Sequence, residues 1–324
     1  MKMKRSAVWF NNLSLYKKIL TIFFLALLAL CCTFLISIHI LTTRYDEELY
    51  RTNASSLNHM TTYLESETQV IQSIADSIIA DPIIQDNLAF LAENPYSNRG
   101  ALARRNIYQQ LYSYIYRSSY IKSINIIPVN GPDICMGSSD DILKFDIKDL
   151  AKTLDGLKGS TTWVSGLNPG DGTLCARNIL KLKYLSLSKL AGLYITVDMG
   201  NLVEGSLKAS GSLVENSRFI LMSGEKRIYP AASYHDRYCI KLLANNQNTE
   251  NAYTIDTLDN KREFIISGHV PYVGWDYLYF RDYDPLFFRI RLVGLQILIF
   301  TVCIVLITAA FVNMVFRHIF RHLD

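Results

Sequence analysis

The side chains that could do chemistry in this 324-residue chain are few and scattered. Of six histidines, only His318 and His322 stand in register, four apart, where one helical face would carry both. That spacing suits a metal, a phosphoacceptor or a cationic membrane flank, and the last needs no third partner. His39, His59, His235 and His269 have no partner spacing. There is no P-loop, no H-E-x-x-H, no G-x-S-x-G and no glycine-rich dinucleotide turn, so no catalytic residue, metal site or cofactor is assigned. Cys135, Cys175 and Cys239 match no zinc spacing. Three thiols cannot all pair within one chain, and a Cys135–Cys175 bridge is one option. Binding chemistry remains. Asp198 ends an apolar run and precedes a helical one, where it either caps the helix or sets a carboxylate at a pocket mouth. Trp163 is either core or a ligand platform. Tyr120 and Arg177 come from neighbouring elements and complete the ligand-binding candidates, with Arg117 and Tyr184 behind them. Tyr108, Tyr112 and Tyr116, spaced by four, read as ordinary helix-face packing.

The elements that position these residues begin with two apolar runs. Residues 19–41 and 292–316 contain no Asp, Glu, Lys or Arg. At about 1.5 Å per residue each covers a hydrocarbon core of about 30 Å as a helix, since lipid offers the backbone no hydrogen-bond partner. The first is too long for a signal peptide and lacks a small-residue cleavage site, so an anchor is expected. Lys2, Lys4, Arg5, Lys17 and Lys18 precede it, while Arg317 and Arg321 follow the second, which places both ends in the cytoplasm. The tails hold seven of the 33 basic residues and one of the 29 acidic ones, leaving 26 against 28 between them. The net charge of +4 therefore belongs to the membrane flanks and gives no support to nucleic-acid binding.

From residue 42 to 80 there is no Pro or Gly. Tyr50, Leu57, Leu64, Ile71 and Ile78 recur every seven residues, with Met60 and Ile74 between and Asn53 and Glu67 interrupting. This predicts a long stalk helix with one buried face, packed on the chain's own domain, on a second copy, or on both along different stretches. Asp81-Pro82 ends it, and a second helical region runs to Ser118. The period then changes to two. Strands are expected at 121–129, around Ile134, and at 161–165, 174–185 and 190–197, with helices at 146–157 and 202–208. A second, smaller unit has strands at 218–222, 226–229, 252–257, 263–270 and 275–281. The aromatic cluster Tyr277, Tyr279, Phe280, Tyr283, Phe287 and Phe288 suits a water–lipid junction.

The chain resembles the sensor half of the YesM-like sensor histidine kinases of Gram-positive bacteria over nearly all its length. The resemblance rests on Leu13-Ser14-Leu15-Tyr16-Lys17-Lys18-Ile19-Leu20, Tyr120-Ile121-Lys122-Ser123-Ile124-Asn125-Ile126, Gly192-Leu193-Tyr194-Ile195-Thr196-Val197-Asp198 and Gly274-Trp275, in that order. It implies an α+β fold, with two transmembrane helices flanking an extracellular double Cache (PAS-like) domain on a long N-terminal stalk helix. The expected layout is a cytoplasmic tail at 1–18, a transmembrane helix at 19–41 and a stalk at 42–80. A membrane-distal lobe at 81–209, a membrane-proximal lobe at 210–285, a second span at 292–316 and a cytoplasmic stub at 317–324 follow. It also implies an unknown small extracellular ligand, a homodimer in the bacterial cell membrane, and a response regulator as partner if a kinase domain is present in the full-length protein. In the amino-acid-binding branch an aspartate matching Asp198 holds the ligand's amino group, but that motif needs a Trp-Tyr pair and Trp163 is followed by Val164. The family continues into a HAMP helix pair and kinase domain, which these 324 residues lack, so as given the chain is expected to sense and not to phosphorylate. The alternatives are the sensor half of a membrane-anchored AraC-type regulator or chemoreceptor, or a tethered interaction protein without a small ligand. An ecto-enzyme would need an acid–base or metal cluster that these residues do not assemble.

Overall fold

A computed structural model describes residues 15–138, 145, 147–157, 159–165, 172–183, 186–211, 217–230, 236–246, 253–258 and 260–321. The expected tail at 1–14, the last three residues and Tyr184 lie outside the described residues. The chain divides into two compact units, Met1–Arg51 with Tyr283–Asp324, and Thr52–Asp282. The helices are α1 (Leu15–Ala80), α2 (Pro82–Glu93), α3 (Asn98–Ile115), α4 (Ile147–Gly156), α5 (Met199–Ser210), α6 (Asp236–Asn246) and α7 (Asp284–Arg321). The strands are β1 (Ile121–Pro128), β2 (Ile134–Gly137), β3 (Thr162–Ser165), β4 (Thr173–Lys183), β5 (Ser186–Val197), β6 (Ser217–Ser223), β7 (Lys226–Tyr229), β8 (Tyr253–Leu258), β9 (Lys261–Val270) and β10 (Trp275–Asp282).

The first unit joins the start of α1 to α7. Among the described residues α1 is long and apolar enough to cross a membrane, and α7 contains the shorter apolar stretch Leu292–Thr308. Leu35, Ile36, Phe300 and Ile307 are exposed. The Thr33, Thr42, Thr43 and Thr301 hydroxyls donate back to carbonyls three or four residues earlier, which removes the need for water. The two helices approach closely where Ile38 lies 3.3 Å from the position a Cβ on Gly294 would take. The Tyr283 hydroxyl donates to Asp46 at 2.9 Å.

The second unit is α+β and contains two five-stranded antiparallel sheets, ordered β2-β1-β5-β4-β3 and β7-β6-β10-β9-β8. With strands counted within each sheet, both orders read 2-1-5-4-3, so one topology occurs twice in succession. This is the double arrangement that the resemblance implied. The heptad stripe of α1 is buried as its spacing predicts: Leu57, Met60, Leu64, Ile71, Ile74 and Ile78 are all at most 4% exposed. Burying six such side chains contributes on the order of 10 kcal/mol before chain entropy is counted. Asn53, which interrupts the stripe, is buried as well and accepts a hydrogen bond from Arg281 at 3.1 Å. Asp81 ends α1 and caps α2 by accepting from the Ile83 and Ile84 amides, with Pro82 in the first turn. α2 and α3 then pack beside α1, where the Tyr114 hydroxyl donates to Asp81 at 3.0 Å.

Two expectations change. α6 was not foreseen, because its stretch between two polar runs has no clear apolar period. Packing holds it: Cys239 and Leu242 join Ile220, Met222, Ile265, Leu278 and Phe280 in the core of the second sheet. Tyr108, Tyr112 and Tyr116 are about half or more exposed, and the Tyr112 and Tyr116 rings meet edge-on at 5.0 Å as helix-face neighbours. Cys135 and Cys175 are free. They sit on β2 and β4 with β1 and β5 between, and three strand spacings of about 4.8 Å put them beyond disulfide reach.

Glycine placement in the second sheet gives a test. Gly268 lies opposite Tyr277, and a Cβ there would sit 2.3 Å from the Tyr277 ring, which is itself stacked on Phe219. Gly268→Ala should lower stability in thermal or urea unfolding by about 1–3 kcal/mol through overpacking. Gly156→Ala, in open space at the end of α4, should not lower it.

Candidate functional site

The first sheet is covered on both faces, and strand register fixes which side chains share a face. Pairing sets Ser123 opposite Thr196, Asn125 opposite Tyr194, Tyr194 opposite Ala176, and Asn178 opposite Gly192. Alternation puts these on the face that carries α4 and the apolar cluster of Phe145, Leu150, Leu154, Leu174 and Ala176. The opposite face carries Ile124, Ile126, Leu193, Ile195 and Arg177 and lies toward α1, since Arg177 pairs with Asp76 of that helix. The α4 side thus contains a buried polar row in an otherwise apolar layer. Ser123 Oγ donates to Thr196 Oγ1 at 3.0 Å, and Asn125 Nδ2 donates to Ser123 Oγ at 3.1 Å. Asn178 Nδ2 donates to the Leu154 carbonyl at 2.8 Å, while its Oδ1 is buried without a partner. The Tyr194 hydroxyl lies over Gly192, where a Cβ would come within 2.5 Å of it. Burial first, then the nearby Asp155 and Asp133 carboxylates, push its phenol up to about 12. Such a row offers donors and acceptors to a small polar molecule held against apolar walls.

The residues singled out in the sequence fall elsewhere. Asp198 is the N-cap of α5: Oδ1 accepts from the Asn201 amide at 3.1 Å and Oδ2 from the Asn201 side chain at 2.9 Å, with Lys122 Nζ at 3.3 Å. Its own amide donates to the Tyr120 carbonyl at 2.8 Å, so Asp198 and Tyr120 do lie together at one end of the sheet. The Tyr120 hydroxyl meets Tyr63 of α1 at 3.0 Å. That hydrogen bond first, then burial, then the fields of Tyr63 and Glu67, raise its pKa to about 12. Arg177 is tied to Asp76 and to the Gly159 carbonyl. Trp163 stands edge-on to Trp275 of the second sheet, ring centroids 5.6 Å apart, at the junction between the sheets. Its Nε1 has no partner, nor do Ser165 Oγ and Thr173 Oγ1, which face each other across β3 and β4. Tyr120, Arg177 and Trp163 therefore serve the α1 side and the junction, away from the polar row.

Sequence reasoning missed Ser123, Asn125, Asn178, Tyr194 and Thr196. The signal was present as polar residues at alternate positions inside otherwise apolar strands, which strand pairing gathers onto one face. Among the described residues no group of three or more His, Cys, Asp or Glu is placed to hold a metal.

Several shifted groups set the alkaline limit of the fold. Burial pushes Cys175 up to about 12 and Cys239 up to about 11, and Tyr120 and Tyr194 are each raised to about 12. All four hold protons in the folded state that the unfolded chain would release at lower pH. Their contribution is complete below about pH 9, the ordinary thiol value, and is lost as pH rises from there to about 12. Denaturant midpoints should fall steadily across that window, and a flat profile to pH 11 would contradict the burial described.

No family model matches the sequence. The chain is similar to the sensor histidine kinase YesM of Bacillus subtilis (strain 168), with 25% identity over 311 residues covering 94% of this chain and 52% of YesM. Among solved structures it is similar to the ligand-binding domain of the Campylobacter jejuni chemoreceptor Tlp3 in complex with L-norvaline. That match has a TM-score of 0.48 and 13% identity, and covers 74% of this chain and 92% of the other. The ligand-binding domain of the Pseudomonas aeruginosa PAO1 amino acid chemoreceptor PctB in complex with L-Arg matches with a TM-score of 0.42 and 12% identity, over 75% and 97% of the two chains. At such identities neither likeness extends to ligand. The chain is a homologue of a sensor histidine kinase and spans about half the length of that relative.

Proposed function

We propose that this chain is the sensory portion of a membrane receptor of the histidine-kinase type, which detects a small molecule outside the cell and passes the event through the bilayer. The homology to YesM along 94% of the chain carries the proposal. In this reading residues 292–316 form a second span, both termini are cytoplasmic, and 42–285 face outward as a stalk with a distal and a proximal lobe. Two copies associate, and kinase activity and a response-regulator partner belong to sequence equivalent to the part of YesM that the chain does not match.

The ligand enters the α4 side of the first sheet and bonds to Asn178, Asn125 and Tyr194. Asp198 and Tyr120 at the end of that sheet, with Arg177 and Trp163 toward α1 and the junction, carry the response. The geometry suits this division. Tyr120 and Arg177 grip α1 through Tyr63 and Asp76, while the β9–β10 turn grips the same helix: the Tyr272 amide donates to Glu65 at 3.3 Å and its hydroxyl to Gln72 at 2.6 Å. A ligand that prefers one arrangement of the first sheet shifts the population of that arrangement. The shift then moves β10, which runs through Tyr283 into α7, relative to α1 by about 1–2 Å, the scale of helix-shift switches.

The test uses the full chain in nanodiscs. A small-molecule panel is screened by thermal shift, and hits are applied to a double variant, Ile38→Cys with Gly294→Cys, in a background with the native cysteines replaced by serine. A ligand should raise the melting temperature by mass action, lose that effect in Tyr194→Phe, and change the rate of disulfide formation between the two spans. A ligand that binds through Tyr194 yet leaves cross-linking unchanged would refute the transmission step.

A further inference from the structure

A groove between α3 and β2 takes no part in the reading above. It is open to solvent, has a volume of about 420 Å³ and is lined by Arg104, Arg105, Tyr108, Asp133, Ile134 and Cys135, a volume within the range of small-molecule sites. Its charge is one-sided. α3 carries Arg99, Arg104 and Arg105 with no Asp or Glu in its length. Among the described residues, neither Arg104 nor Arg105 is paired with a carboxylate. Asp133 is the one acidic residue in the lining, against two arginines, and burial raises its pKa.

The walls are braced. Arg104 Nη1 donates to the Pro95 carbonyl at 2.6 Å, which fixes one guanidinium on the rim. The β1–β2 hairpin is clamped to the end of α2 and the loop after it: Asn130 Nδ2 donates to the Ala92 carbonyl at 2.9 Å, and Gly131, at φ 103°, lets Pro95 come so near that a Cβ would sit 2.8 Å from it. β2 is an edge strand with no strand on its outer side among the described residues. Tyr108 is half exposed and offers a ring face beside the two arginines.

We propose that this groove binds a small organic anion, its carboxylate or phosphate held by the forked guanidiniums of Arg104 and Arg105 and its body lying on Tyr108. Guanidinium donors match the oxygens of either group bidentately, and an aromatic face adds contact with the rest of the ligand. An inorganic ion alone would leave most of the volume unfilled. The site is separate from the polar row on the α4 side, so it stands or falls independently of the sensing proposal.

The test is calorimetric titration of the full chain in nanodiscs of zwitterionic lipid, with citrate as the carboxylate probe and phenyl phosphate as the phosphate probe, at ionic strength matched with chloride. One probe should bind one to one, and the preferred probe identifies the anion class. Arg105→Gln alters an exposed side chain, so it should leave the melting temperature unchanged while weakening binding at least tenfold. Arg99→Gln, on the same helix but outside the groove, should bind as the parent does. Absence of binding by both probes, or an Arg105→Gln variant that binds as tightly as the parent, would overturn the proposal.

Discussion

Between Leu57 and Ile78 the long helix rises about 32 Å while presenting one apolar stripe, and both sheets are attached to that length of it. The second sheet is held at two heights, by Arg281 on Asn53 and by Tyr272 on Glu65 and Gln72. The first is held by Tyr120 on Tyr63 and by Arg177 on Asp76. The polar contacts are partly exposed and each contributes little by itself. Burial of the stripe supplies the energy, and the polar contacts set where each sheet sits along the helix. Both sheets therefore grip one helix, between Asn53 and Asp76.

That constraint explains why the polar residues divide as they do. On the α1 side, polar groups are consumed by attachment: the Arg177 guanidinium, the Tyr120 hydroxyl and the Asp76 carboxylate all have protein partners. On the α4 side, Ser123, Thr196 and Asn125 bond to one another, and Asn178 keeps an open acceptor. A buried acceptor without a partner costs about 1–3 kcal/mol.

The architecture was largely legible in the sequence. The seven-residue spacing from Leu57 to Ile78 named the buried face of α1, Asp81-Pro82 marked its end, and the change to a period of two after Tyr120 marked the first strand. The strands at 121, 226 and 275 begin at the residues the pattern indicated, and a short strand stands at Ile134. The polar row was not legible, for a physical reason. Whether Asn125 and Tyr194 stand side by side depends on the register of β1 against β5, which are separated by 57 residues of chain. Asp198 stood out because it joins a strand to a helix, yet that position is also what makes it a cap: Oδ1 accepts from the Asn201 amide, while Oδ2 takes the Asn201 side chain and Lys122. Trp163 was read as either core or a ligand platform, and its neighbour, Trp275, lies 112 positions further on. α6 failed to register because its helix is specified by the cluster around Cys239 and Leu242 and not by its own periodicity.

Hydrogen–deuterium exchange on the full chain tests most directly whether the stalk is an integral part of the fold. If residues 57–78 of α1 form the shared floor of both sheets, their amides should exchange as slowly as those of β5 and β10, in one cooperative unit. Exchange of that helical segment orders of magnitude faster than the strands would mean that the sheets stand without it, and the account of a helix-borne coupling between them would be wrong.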